Sequence, residues 1–482
     1  YSYPFPIYFS SRNSNNDITD SIASVYLRLK DNNPEFQLRY ADRAYKHLFH
    51  DGALTSENAS ARFEARAQEI ESAVIGESAR WGDQRRAVPY TRDLEWTTER
   101  NRINTEFFPT RPDHVISQLR IVGLYPSIDP PTFSQHGGAV PIDFALSLSA
   151  DAGTIYYTTD GSDPRETWTN NALGAVYTTP IDLTQSLTVK ARALNTGEWS
   201  ALSEASFIVG TPSNSSNLVI SELNYHPPLG QEGREFIELL NISDETIELG
   251  GASFSDGIDF TFAPNTTLEP NERILIVKDL SSFTVNEQAQ IAGIFENDTG
   301  LANGGERIVL LDYLGETIFD FSYLDEGSWP TSPDGNGPTL TLITPSNISN
   351  LSDPTSWRSS AFDGGSPAAT DATFFTGNPL ADDNHNGIPN LVEYAAGPDL
   401  TTSFITSGSE TFATISFAQN LAADDIEIIV ESSSDLITWS PSPIQTSALY
   451  NNDGTRLATW RTTEPIGDSE PRRFLRLRVL SR

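Results

Sequence analysis

The sequence changes pattern once, near Tyr125-Pro126, and that change limits the chain to a helical part followed by β modules. Before it, apolar residues recur at helical spacing. Asn33-Pro34-Glu35 opens a segment carried by Phe36, Tyr40, Ala44 and Leu48, and Asp51-Gly52 closes it as a glycine cap would. Thr55 starts a second helix, carried by Ala61, Ala65, Ile70 and Val74 to about Trp81. A third is expected from Thr91 to Pro109, where the proline ends it, and a short fourth from Pro112 to Ile121. After Pro126 the runs are short and β-branched, as in Thr154 to Thr159, Leu187 to Leu194, Arg273 to Val277 and Ile426 to Val430. Gly, Pro, Asn and Asp separate them, the pattern of antiparallel sandwiches. The expected fold class is therefore multidomain: an α-helical N-terminal part followed by serial all-β, immunoglobulin-like sandwich domains. The divisions expected are 1–126, 127–211, 212–375, 376–400 and 401–482, with low-complexity seams at Thr211 to Ser216 and Phe362 to Asn378.

Charge follows the same division. The whole chain of 482 residues carries 31 Lys+Arg and 65 Asp+Glu, a formal charge of −34. Residues 1–126 hold 16 basic and 17 acidic residues, so almost all of the excess lies in the β part. Such a surface repels phosphate backbones and anionic membranes, and nucleic acid is excluded as a partner. The longest apolar runs, such as Ile274 to Val277, are far short of the ~18 residues that span a bilayer, so no membrane span is expected. There is no Cys and no Met, which removes disulfides, Cys-ligated zinc and thiol chemistry and leaves a chain inert to oxidants. The start at Tyr1 fits a processed or truncated product. Together these features point to an extracellular or cell-surface location.

Four segments resemble known families. NPEFQLRYADRAYKHLFHDGALT (Asn33 to Thr55), ESARWGD (Glu77 to Asp83) and FFPTRPDHVISQLRIVGLYP (Phe107 to Pro126) resemble the C-terminal portion of the spore-coat-protein-H (CotH) kinase-like family of bacterial surface proteins. The phosphate-binding Lys and Mg²⁺-binding acids of such a kinase are expected upstream of Tyr1. Residues 137–209, through GTIYYTTDGSDPR (Gly153 to Arg165) and LTVKARALNTGEWSALSEASF (Leu187 to Phe207), resemble the chitobiase/hexosaminidase C-terminal type of small β-sandwich, an accessory module. A sugar-binding role for it requires exposed aromatics; Tyr156, Tyr157 and Trp199 are expected to pack inside. Residues 217 to about 330 resemble the lamin-tail domain, an immunoglobulin-like sandwich. The matching stretches are LVISELNYHP (Leu218 to Pro227), REFIELLNIS (Arg234 to Ser243), RILIVKD (Arg273 to Asp279) and LANGGERIVLLD (Leu301 to Asp312).

The fourth segment, ADDNHNGIPNLVEYA (Ala381 to Ala395), carries a metal signature. Asp382, Asn384, Asn386, Gly387 and Glu393 fit D-x-[DN]-x-[DN]-G-x5-E at every fixed position. Oxygens from Asp382, Asn384, Asn386 and Glu393 converge on Ca²⁺ in such a loop, with the Ile388 carbonyl, Asn390 acting through water, and Gly387 making the sharp turn. The loop resembles those of thrombospondin type 3 segments. Asn in place of Asp at two positions lowers the ligand charge and sets an affinity in the extracellular range of ~10⁻⁴ to 10⁻³ M. Ca²⁺ is the one cofactor expected, as a clip that stiffens the linker.

Other candidates have plainer readings. Glu222, Glu235 and Glu238 alternate with apolar residues, as on a half-exposed strand, rather than forming a catalytic dyad. His47 and His50 sit at a helix end, where the dipole favours them. Arg472, Arg473, Arg476 and Arg478 are the basic cluster of the acidic part, available to a neighbour's acidic surface or to solvent. No H-E-x-x-H, G-x-S-x-G, P-loop or dinucleotide fingerprint occurs. The reading is a non-enzymatic extracellular or cell-surface structural protein of rigid β modules, calcium-stabilised, forming a fibre or surface layer. Its partners are then further copies or other surface proteins. The alternatives are the body of a CotH-type kinase without its nucleotide lobe, or a carbohydrate-binding accessory protein with glycan partners.

Overall fold

The cap residues fix where the helices begin. Asn33 accepts from the Phe36 N–H and Thr55 from the Asn58 N–H. The chain accordingly forms α1 (Ile22–Asn32), α2 (Pro34–Leu48) and α3 (Ser56–Trp81). The computed structural model describes residues 22–347, 350–451, 453–467 and 472–482, so Tyr1 lies outside the described residues. The chain divides into two units, Tyr1–Phe207 and Ile208–Arg482.

Two expectations for the helices fail. The glycine cap at Gly52 does not form: α2 ends at Leu48, Phe49 is its C-cap, and His50 rather than Gly52 takes the left-handed conformation at φ +58°. Pro109 ends nothing: a π-helical turn (Arg92–Trp96), α4 (Thr97–Arg102), a second π-helical turn (Ile103–Phe107) and α5 (Phe108–Ile121) follow without a break. The widened turn before Pro109, in which the Phe108 N–H donates to the Ile103 carbonyl, makes room for the ring. Pro112 lacks the N–H that would reach the Phe108 carbonyl, and the Ser56 hydroxyl of α3 donates to that carbonyl instead.

In the first unit, Ala41, Tyr45, Leu48, Ile116, Leu119 and Tyr125 form a core that includes Ala201 of the following module. That module is built on a sheet ordered Gly138–Val140, Ser203–Val209, Leu187–Asn195, Thr154–Thr158 and Ala175–Val176. Along its central strand Val189, Ala191 and Ala193 point to one face and are fully buried, whereas Arg192 points to the other.

In the second unit a six-stranded sheet runs Ile291–Ile294, Arg273–Val277, Phe236–Asn241, Leu218–Asn224, Leu340–Leu342, Trp357–Ser359. A four-stranded sheet, Phe260–Thr261, Ser253–Asp256, Gly305–Leu311 and Thr317–Leu324, contributes Phe254, Ile308, Leu310 and Phe321 to the same core. This is the expected sandwich, and the long α-helices all lie in the first part of the chain, with only the short α-helices Val285–Gln288 and Asn390–Ala396 beyond it among the described residues. Strands Leu218–Asn224 and Phe236–Asn241 are buried on both faces, not one. The last module pairs Thr401–Ser407, Glu410–Asn420, Thr455–Arg461 and Ile444–Tyr450 in one sheet and Ile426–Ser433 with Phe474–Ser481 in another. The helix Asn390–Ala396 enters its core through Ala395 and Ala396. Among the described residues no helix is long and apolar enough to cross a membrane.

Candidate calcium loop and buried clamps

The loop 382–393 is held by its own side chains. Both Asp382 oxygens accept backbone N–H groups, Oδ1 from Asn386 at 3.1 Å and Oδ2 from Gly387 at 2.8 Å. Gly387 has φ +88°, a left-handed conformation that glycine adopts without strain. The Asn384 amide donates to both Glu393 oxygens at 2.9 and 3.1 Å, and the Asn386 amide donates to Oε1 at 2.6 Å. Asp382, Asn384, Asn386 and Glu393 are thus brought together, with Glu393 carried by the helix that docks in the last module's core. Ile388 follows, its N–H donating to Asn386 Oδ1 at 2.8 Å. Asn390 is turned elsewhere and exchanges hydrogen bonds with Asp383. The donor set fits a hard cation: carboxylates and amides, with no nitrogen or sulfur ligand.

The expectation of a half-exposed acidic strand is overturned. Glu222 and Glu238 are direct cross-strand partners and each is 1% exposed. The second face of their strands is covered by residues 363–371, far along the sequence. The Ser366 N–H and hydroxyl donate to Glu222 Oε1 at 3.0 Å and Oε2 at 3.1 Å, and the Thr339 hydroxyl donates to Oε1. On Glu238, the Ala368 N–H donates to Oε2 at 2.8 Å and the Ser221 hydroxyl to Oε1 at 2.5 Å, with Arg273 3.1 Å away. Burial pushes the Glu222 carboxyl up to about 7, and burial together with the Glu222 charge pushes Glu238 up to about 8. Each donor pins the covering segment or its own strand, and the pair acts as a latch.

Two arginines are enclosed without loss of hydrogen bonds. Arg358, on the strand Trp357–Ser359, donates to Asp424 at 2.6 and 3.0 Å, to Asp371 at 2.6 and 3.1 Å, and to the Ser359 carbonyl at 3.1 Å. Asp424 belongs to the last module, so this clamp joins it to the lamin-tail-like sandwich within the second unit. Burial raises the Asp424 carboxyl, against the pull of Arg358. In the first unit Arg192, 1% exposed, donates to Asp42 of α2, to Asp163 and to the Ser200 carbonyl at 2.7 to 2.9 Å. It ties the helices to the first β module in the same way. Sequence patterns did not mark either arginine, because in each case the partner contributed by another module lies far off, 66 positions away for Asp424 and 150 for Asp42.

The remaining candidates are accounted for locally. His50 Nε2 lies 3.0 Å from the Tyr45 hydroxyl and the His50 ring stacks on His136. Burial, then the neighbouring His50, lower His136 to about 4. Among the described residues no cluster of three His, Cys, Asp or Glu is placed to hold a metal. Arg476 and Arg478 are engaged by Glu431 within their own sheet pair, at 2.7 and 3.7 Å, and Arg476 also covers Trp439. Trp199 is buried against Tyr156, as expected, but Trp168 is 75% exposed at φ +72°. The sequence carries no sign of that exposure.

This architecture defines a β-rich, multidomain protein with immunoglobulin-like modules. Residues 211–325 match the family model Lamin Tail Domain, and residues 144–207 match the family model Fn3 associated. No curated protein matches the chain. Among solved structures, one titled "The structure of a beta-glucuronidase from glycoside hydrolase family 2" aligns with 75% of this chain and 38% of its own at 11% identity. Its TM-score of 0.13 gives that likeness no weight.

Proposed function

We propose that the chain is a non-enzymatic structural protein of the cell exterior, whose modules are fixed to their neighbours within each unit and whose loop 382–393 binds Ca²⁺. The observation that carries this reading is the Arg358 clamp. A guanidinium 9% exposed, with five hydrogen bonds to two carboxylates and a carbonyl, is a costly way to join two modules unless a fixed relative orientation is what the joint provides. The acidic pair that most resembles a catalytic dyad, Glu222 and Glu238, is occupied by structural donors, which supports the non-enzymatic reading.

Ca²⁺ at the loop would supply positive charge opposite the Glu393 carboxylate, which accepts from the Asn384 and Asn386 amides. Asp382, Asn384, Asn386 and Glu393 would hold it, with the Ile388 carbonyl. Because Glu393 stands on a helix packed in the last module, the ion stabilises that module by linkage. With a dissociation constant of ~10⁻⁴ to 10⁻³ M, about 5 mM Ca²⁺ adds about 1–2 kcal/mol. Thermal melting and negative-stain microscopy of the chain, in Ca²⁺ and in chelator, test both halves. A higher melting temperature and assembled particles in Ca²⁺ are expected. An unchanged melting temperature removes the calcium role, and a monomer under all conditions removes the assembly role.

A further inference from the structure

The first unit contains a cleft of about 820 Å³ between the start of α2 and the loop 165–172. Its size is within the range of small-ligand sites. Three aromatics line it: Tyr125 and Trp199 in the wall, and Trp168 at the rim. The loop that carries Trp168 is cross-linked by hydrogen bonds. The Glu166 carboxylate accepts from the Asn171 amide at 2.9 Å and from the Thr169 hydroxyl, the Glu166 N–H donates to the Asn171 carbonyl at 2.8 Å, and the buried Trp199 donates to the Asn170 carbonyl at 3.2 Å. The indole stands exposed on a loop whose neighbouring residues are hydrogen-bonded to one another.

The charges of the lining select against ions. Its charged residues are Glu35, Glu198, Arg120 and Arg165, two of each sign. Each is already engaged: Arg165 with Glu35 at 2.6 and 2.7 Å, Arg120 with Asp129 at 2.5 Å, and Glu198 with the Ser127 N–H at 3.0 Å. A phosphate or a cation gains little net charge complementarity here. A purely apolar molecule would strip water from these groups and offer them nothing. Among the lining side chains Trp168 and Asn170 are exposed and open to an occupant, and Arg120 and Glu198 are half-buried. The remaining chemistry is a neutral molecule with an apolar face for an indole and hydroxyls for amides and a guanidinium.

We propose that this cleft binds a neutral oligosaccharide, with a pyranose ring stacked on Trp168 and hydroxyls directed to Asn170 and Glu198. The C–H groups on one face of a pyranose fit the electron-rich face of an indole, and its edge carries the donors and acceptors. The site lies wholly in the first unit and is independent of Ca²⁺.

Isothermal titration and tryptophan emission of the full chain, in chelator, test this with cellotetraose, chitotetraose, xylotetraose and laminaritetraose as probes and a heparin-derived tetrasaccharide as the charged counterpart. At least one neutral probe is expected to bind and shift the emission. Trp168→Ala should weaken it at least about tenfold with the melting temperature maintained, and Trp81→Ala, at an exposed indole outside the cleft, should leave it unchanged. Silence of all four neutral probes up to about 10 mM overturns the proposal. So does binding that survives Trp168→Ala, or binding of the heparin fragment alone.

Discussion

At the scale of single residues, the second unit is held by carboxylates that water does not reach. Gly365, at φ +71°, passes so close to Glu222 that an added Cβ would overlap its carboxylate and crowd the Thr339 hydroxyl. Gly364, at φ +78°, has only the Arg234 guanidinium near its open side. Gly364→Ala should therefore cost only the backbone term, about 1 kcal/mol, whereas Gly365→Ala should cost about 3 kcal/mol or more because the latch itself must move. Urea unfolding of the two variants measures the difference, and equal costs would refute a tight latch. The same pair sets a pH dependence. Glu222 and Glu238 bind protons more tightly folded than unfolded, so their contribution is fully present below about pH 4.5 and is lost as pH rises through about 7 to 8. Facing them, Asp371 raises Glu222 and Arg273 lowers Glu238, and the net direction remains upward. Stability should fall by roughly 2–4 kcal/mol from pH 6 to pH 9. Glu238→Gln, in which an amide stands in for the protonated acid, should flatten that slope; denaturant melts across the range decide it. Arg358→Ala leaves Asp371 and Asp424 buried without a counter-ion and should cost about 3–5 kcal/mol, far more than removing the exposed Arg307.

At the scale of elements, the run from Arg92 to Ile121 shows how a rule about proline is satisfied rather than broken. The Phe108 carbonyl, deprived of its helical donor by Pro112, is served by Ser56. Ser56→Ala should thus cost about 1–2 kcal/mol in the native sequence, and much less when Pro112→Ala restores the backbone donor. A double-mutant cycle by chemical denaturation tests this, and additive effects would show that the hydroxyl contributes nothing to the turn. Such cases explain what the sequence discloses. Caps at Asn33 and Thr55, period-two strands, and the spacing from Asp382 to Glu393 are local, and local chemistry can be read in order along a chain. The burial of Glu222 and Glu238 is not local: residues 366 and 368 cover them from more than a hundred positions away. The exposed Trp168 escapes for a related reason, since its neighbours in the cleft come from α2 and from residues near 125 and 198. Periodicity assigns an element to a face. It does not say which distant segment arrives to cover that face, or fails to.

At the scale of the whole molecule, the formal charge of −34 is unevenly borne. Residues 1–207 carry 19 basic and 26 acidic residues, and residues 208–482 carry 12 and 39. Several arginines of the second unit are already committed: Arg358 to Asp371 and Asp424, Arg307 to Asp320, and Arg476 to Glu431. The remaining carboxylates repel one another across a surface with few counter-charges, and that repulsion favours the expanded, unfolded chain. Raising NaCl from about 0.1 M to about 1 M shortens the screening length from about 10 Å to about 3 Å, which removes most of the repulsion. The first unit has little net charge to screen and exposed pairs such as Arg66–Glu69 and Arg102–Glu99 to weaken. Salt should therefore protect the second unit and leave the first nearly unchanged or slightly loosened. Hydrogen exchange read by mass spectrometry on the intact chain separates the two, and chelator keeps the loop 382–393 from contributing. Greater slowing of exchange in the strands of residues 208–482 is the expected result. Equal slowing in both units would mean that salt acts on packing in general, and that the acidic surface carries no energetic consequence for the fold.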